Sequence, residues 1–157
     1  MSRRRNSDTT QLLIVAALVL ALDQWTKRLI VTHFLPGQSR TVVPQLLRWT
    51  YEPNRHGAFG LFGDSPVLLV GMAVLVLLIF WVSFRDAARR HTVVRIAFGM
   101  ILGGAIGNIV DRLHYHYVVD FIDFYKVWPN IFNVADACIT AGVILLILSS
   151  LGTRRHR

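Results

Sequence analysis

The chain has 157 residues, 54% of them hydrophobic and 17% charged, and its 17 Lys+Arg against 9 Asp+Glu give a net charge of +8. A soluble domain is about 25% charged, so this composition excludes a disordered chain and an acidic tail protein; with one cysteine it excludes a disulfide scaffold. A mean hydropathy of +0.47 beside a basic balance argues against nucleic acid as a partner and for a membrane protein whose positive charges mark its topology.

Arg3, Arg4 and Arg5 precede an uncharged run of fourteen residues, Thr9 to Leu22, bounded by Asp8 and Asp23. The start has the look of a secretory signal peptide, but Ala21-Leu22 runs directly into Asp23-Gln24-Trp25 with no small-residue cleavage site. It reads as a retained first helix over about 10–31. The next segment, about 32–65, carries Arg40–Val43 and Leu46–Tyr51, β-branched or aromatic stretches punctuated by Pro36-Gly37 and Pro44, which predict short strands. Pro66 to Phe84 is nineteen residues without a charge, the length of a membrane span. Ile96 to Val110 is fifteen, predicting a helix over about 93–111, and Ala137 to Thr153 is seventeen, predicting a helix over about 134–152.

The expected fold is therefore a membrane all-α bundle of four transmembrane helices, one integral-membrane domain over 1–157, with outer segments at about 32–65 and 112–133. Ten of the 17 basic residues fall within 3–5, 85–95 and 154–157, which assigns both termini and the 85–95 connection to the cytoplasm. Trp49, Tyr51, Tyr115, Tyr117, Tyr125 and Trp128 suit the headgroup level. Cys138, within the fourth run, reads as packing.

With this topology the polar residues converge on one end of the bundle. The first helix ends in Asp23-Gln24-Trp25-Thr26-Lys27, the third in Asn108, Asp111 and Arg112, and the fourth begins with Asn133 and Asp136. Gly104, Asn108 and Arg112 recur every four residues and share a helix face, while Gly99, Gly103 and Gly107 form overlapping GxxxG patterns beside it. Asp23 and Lys27 form an i, i+4 pair, expected to be structural. Metal ligation is poorly served by the six histidines, and the serines lack a base partner at a suggestive position, so no cofactor is expected. Carboxylates remain. Asp23, Asp111, Asp120, Asp123 and Asp136 all fall at the outer side. Two carboxylates at a partly dry site share a proton and supply an acid and a base together; spacing alone permits several such pairs.

Asp23–Lys27, Asn54–Gly60 (NRHGAFG), Gly103–Phe124 and Phe132–Asp136 (FNVAD), in this order, resemble the signal peptidase II family of bacterial membrane aspartic proteases. The resemblance implies Asp120 and Asp136 as the catalytic pair, with Asp123 supporting. It implies binding or positioning roles for Asn54, Asn108, Arg112 and Asn133, and structural ones for Asp23, Lys27, Gly104 and Asp111. It also implies four membrane helices with a small outer β-structured cradle, in the bacterial cytoplasmic membrane. The implied partners are membrane lipids and diacylglyceryl-modified prolipoproteins, cut before the lipid-modified cysteine, and the expected state is a monomer. The chain departs from the family's usual Asn-x-Gly-Ala-Ala-Phe at His56 and Gly57, which bears on the backbone of that loop. A transporter reading fares worse, because the middle of every span lacks a charged residue. A purely structural membrane protein leaves the convergence of amides and carboxylates unexplained.

Overall fold

A computed structural model describes residues 2–55 and 65–154. His56, Gly57 and Phe59 lie outside the described residues, and with them the expectation about that loop. The element order is α1 (Ser2–His33), β1 (Ser39–Val43), β2 (Leu47–Asn54), α2 (Pro66–Arg90), α3 (Thr92–Tyr115), β3 (Val118–Asp123) and α4 (Val134–Arg154).

Local sequence sets the element ends. Ser65 caps α2 by accepting from Leu68 N, and Pro66 stands at the first helical position, where its missing N–H costs nothing. His91 alone, in extended conformation, separates α2 from α3, so these helices are forced into an antiparallel pair. His116 ends α3 in the left-handed region at φ 63°.

α3 is the central helix and packs against α1, α2 and α4. Its glycines permit that closeness on two faces. A Cβ on Gly99 would stand 2.7 Å from Val15 Cβ, and one on Gly103 would strike the Ala16 carbonyl, so this face lies directly on α1. A Cβ on Gly104 would stand 2.6 Å from the Ala135 carbonyl oxygen, so the other face lies on α4. A buried cluster of Leu12, Val94, Ala97, Phe98, Ile101 and Leu146 fills one end of the bundle. Along its length α2 leaves Val67, Leu75, Leu78, Ile79 and Val82 uncovered. An apolar helix exposed on most of its surface is in its proper solvent only in lipid.

Among the described residues three helical stretches, Val67–Arg89, Thr92–Tyr115 and Val134–Leu151, are long and apolar enough to cross a membrane. α1 is not among them. The protein is thus a mostly helical membrane bundle with one small sheet.

The sheet is antiparallel with strand order β1-β2-β3. The two expected strands are present; β3, formed by Val118–Asp123, was not foreseen from the sequence. It pairs with β2 so that Glu52 faces Asp120 and Asn54 faces Val118 across the ladder. One side of the sheet packs Tyr51, Val119 and Phe121 against Ile30 of α1. Tyr51 is buried, with its hydroxyl 2.7 Å from that of Tyr117.

Candidate active site

The polar end of the bundle is organised around Lys27, which is 2% exposed. Its ammonium lies 2.8 Å from Asp23 Oδ2 and 2.9 Å from Asp111 Oδ2, and donates to Asn108 Oδ1 at 2.9 Å. Three acceptors match its three donors, the condition under which a buried ammonium is tolerated. Both carboxylates also tie elements together. Asp23 Oδ1 accepts from Ala135 N at 2.9 Å, satisfying an open N–H in the first turn of α4, and Asp111 Oδ2 accepts from Val119 N at 3.0 Å, holding β3 against α3. Gln24 donates to Asp111 Oδ1 at 2.9 Å and to the Gly107 carbonyl at 3.2 Å.

The FNVAD stretch proves to be a helix start. Asn133 precedes α4, its Oδ1 accepts from Asp136 N at 2.9 Å, and Asp136 Oδ2 accepts from Asn133 N at 3.4 Å. This is a capping box with Asn and Asp in the two roles. Its geometry leaves the Asn133 amide nitrogen facing inward, where it donates to Asp120 Oδ1 at 2.6 Å and to Asn108 Oδ1 at 3.3 Å. Asn108 Nδ2 in turn donates to Asp136 Oδ1 at 2.8 Å, and Asn54 Nδ2 donates to Asp120 Oδ2 at 2.8 Å.

Asp120 and Asp136 consequently share one hydrogen-bonded network and line one cavity of about 830 Å³, with Asn54, Asn108, Arg112 and Thr140. Asp120 is buried, and burial, then the negative charge of Asp136, push its carboxyl up to about 7; the amides of Asn54 and Asn133 and the charge of Lys27 oppose this. Arg112 lines the same cavity and interacts electrostatically with Asp136, Asp120 and Asp111. It donates to the Asn108 carbonyl at 3.3 Å. Among the described residues its Nε is the one buried side-chain nitrogen or oxygen without a hydrogen-bond partner.

The ten residues singled out from the sequence thus fall into two groups. Asn54, Asn108, Arg112, Asp120, Asn133 and Asp136 surround or reach the cavity; Asp23, Lys27, Asp111 and Gly104 form the packing and charge network behind it. Asp123 faces elsewhere, with Arg48 Nε at 2.5 Å and Thr50 Oγ1 at 2.8 Å, and serves to hold the sheet. Sequence reasoning gave no role to Gln24, whose place in the Asp23–Lys27 cluster was its only signal, nor to Glu52, which lines the cavity. A second cavity of about 570 Å³, between the end of α1 and the opposite side of the sheet, is lined by Ile30, Phe34, Trp49 and Phe121 and holds no carboxylate.

A helical membrane bundle in which two carboxylates, one of them titrating near neutrality, meet in a polar cavity defines a membrane hydrolase of aspartic type. Comparison with known proteins narrows the class. A model of the signal peptidase (SPase) II family matches residues 15–152. The chain is 42% identical to the lipoprotein signal peptidase of Moorella thermoacetica, over 85% of its own length and 88% of the relative's. It is 39% identical to that of Chlorobium phaeobacteroides, over 86% and 92%. A solved bacterial membrane enzyme, determined in meso at 2.3 Å, superposes with a TM-score of 0.84 at 30% identity, covering 93% of this chain and 90% of that one. The chain belongs to the signal peptidase II family, and its activity is that of an aspartic endopeptidase.

Proposed function

We propose that Asp120 and Asp136 are the catalytic pair of an endopeptidase that removes the signal peptide from diacylglyceryl-modified prolipoproteins, cutting before the lipid-modified cysteine. The observation that carries this reading is Asn133, whose side-chain amide donates to the Asp120 carboxylate while its oxygen accepts from the backbone of Asp136, so that one side chain ties Asp120 to the helix start that carries Asp136 at the same cavity.

The chemistry follows from the asymmetry of the pair. Asp120 retains a proton up to about pH 7 and so hydrogen-bonds the scissile carbonyl oxygen. Asp136 takes a proton from the attacking water, whose oxygen adds to the carbonyl carbon as Asp120 delivers its proton to the carbonyl oxygen. In the collapse Asp136 returns its proton to the departing amine of the cysteine. Asp120 recovers one from a hydroxyl of the intermediate as the C–N bond breaks. The Asn54 amide orients the Asp120 carboxylate, and the Arg112 guanidinium, which lines the cavity, holds a substrate carbonyl.

The remaining features of this reading concern the membrane. α1 is the fourth span, its outer turns carrying Asp23 and Lys27 only because Asp111 and Asn108 neutralise and solvate them inside the bundle. Both termini and the 85–95 connection face the cytoplasm, supported by their arginines. The cavity then opens near the outer face of the cytoplasmic membrane, where a signal peptide leaves the bilayer. In this reading the protein acts as a monomer among membrane lipids.

The test is direct. Asp120→Asn and Asp136→Asn, each purified in detergent and shown to fold, are incubated with a diacylglyceryl-modified prolipoprotein, and the size shift is followed. Loss of cleavage in both is expected; full turnover by either refutes the pair.

A further inference from the structure

Strand geometry decides which side chains of the sheet look into the cavity. Side chains two apart share a face, and Glu52 and Asn54 on β2, with Val118 and Asp120 on β3, all line it. The register sets Glu52 directly across from Asp120. Glu52 is the sole glutamate of the chain, it is exposed, and among the described residues no hydrogen bond or ion pair holds it. With no partner to hold it, a carboxylate at this position adds nothing to the stability of the sheet.

The cavity has two ends of different character. Ile139 and Thr140 lie one turn beyond Asp136 in the apolar stretch Val134–Leu151. Glu52, Pro129 and Asn130 belong to the sheet and the β3–α4 connection, outside the apolar helices. A substrate with its signal peptide in the bilayer and its scissile bond at Asp120 and Asp136 therefore passes its mature segment out along Glu52. Among the described residues Arg112 is the cationic side chain lining the cavity and it lies with the two aspartates, so the charged side chain lining the sheet end is Glu52.

We propose that Glu52 is a specificity-determining residue that disfavours an acidic side chain, and favours a basic one, immediately after the lipid-bearing cysteine of the substrate. The proposal rests on the assignment of Asp120 and Asp136 as the reacting pair. Its physical basis is the energy of one partly solvated charge beside another, which acts in opposite directions on the two kinds of substrate.

The experiment uses the full chain in detergent and diacylglyceryl-modified prolipoprotein peptides identical except for lysine, serine or aspartate after the cysteine. The readout is the ratio of kcat/KM for the lysine peptide to that for the aspartate peptide, a quantity internal to each enzyme. For the unaltered protein a ratio of roughly fivefold or more is expected, the scale of a partly exposed ion pair gained in one case and a repulsion in the other. Glu52→Gln should bring the ratio close to one, and Glu52→Lys should invert it. A ratio unchanged by both substitutions overturns the proposal. If neither variant folds, the ratio of the unaltered protein decides: it should shrink as salt rises from about 0.05 to 0.5 M, and a salt-independent ratio overturns the proposal. Cleavage by Asp120→Asn or Asp136→Asn would instead sink the site assignment, a result separate from any behaviour of Glu52.

Discussion

Lys27 Nζ donates to Oδ1 of Asn108 across 2.9 Å, and this bond decides which way the Asn108 amide faces. A lysine ammonium has no acceptor, so the oxygen of Asn108 must point to it and the nitrogen must point away, to Asp136 at 2.8 Å. A residue placed behind the cavity thereby sets the polarity of a group within it.

Replacing Lys27 by Met leaves Asp23 and Asp111 buried at 0% exposure without their cation. Breaking a buried pair from one side costs about 3–5 kcal/mol. The expected result is a large fall in the thermal midpoint of the detergent-solubilised protein, together with lost cleavage because Asn108 is free to turn over. A Lys27→Met protein with an unchanged midpoint would show that the charge network is dispensable.

The elevated carboxyl of Asp120 makes stability depend on pH in a defined direction. Unfolded, the group ionises near 3.8; folded, it holds its proton to about 7. Between these values the native state binds more protons than the unfolded one, so stability from this group is complete below about 3.8 and is lost as pH rises through about 7. Asp120→Asn removes this dependence, and its stability relative to the unaltered chain should rise by a few kcal/mol, to order of magnitude, from pH 4 to pH 8. Denaturation midpoints of both proteins across that range check it. Cleavage by the unaltered enzyme should in turn decline above about pH 7, as Asp120 loses the proton it supplies.

Asn133 separates capping from chemistry. Asn133→Ala removes the helix cap, worth about 1 kcal/mol, and also the donor that holds Asp120. Stability should change modestly while turnover falls roughly a hundredfold, the effect of deleting a preorganised donor at a reacting group. Equal, small losses in both measurements would confine Asn133 to capping.

Gly104 tests how closely the site depends on helix packing. Gly104→Ala places a methyl 2.6 Å from the Ala135 carbonyl oxygen, so α3 and α4 must separate. Overpacking of this kind costs about 1–3 kcal/mol, and because Asn108 and Asp136 ride on those two helices, activity should fall further than stability. Full activity at reduced stability would contradict that coupling.

Activity should survive a strong chelator. Both oxygens of Asp120 and Oδ1 of Asp136 already face amide N–H donors, which would repel a cation brought between them. Loss of cleavage on chelation, restored by a divalent metal, would overturn this.

Much of the fold was legible because a bilayer accepts only long uncharged helices and leaves the positive charges at their ends. The runs at Pro66–Phe84, Ile96–Val110 and Ala137–Thr153 carry that information in composition alone, and each lies within a helix of the structure. Helical spacing likewise put Gly104, Asn108 and Arg112 on one face, since the period of a helix is a local property. β3 escaped notice because a six-residue strand buried on nearly all sides lacks the alternation that marks one in sequence. Its identity depends on β2, Asp111 and Phe132, each reached only when the chain folds back.

The sequence by itself determined the helical framework, the clustering of polar residues at its ends and, through recurring motifs, the family. It left open which of five aspartates come together, because spacing along a chain does not measure distance across a bundle. Only the tertiary structure decided that Asp120 and Asp136 share a cavity and Asp123 turns to Arg48, that Lys27 orients Asn108 from 81 residues away, and that Glu52 stands opposite Asp120. Those relations arise from strand register and close helix approach, and both are settled by packing between segments distant in the chain.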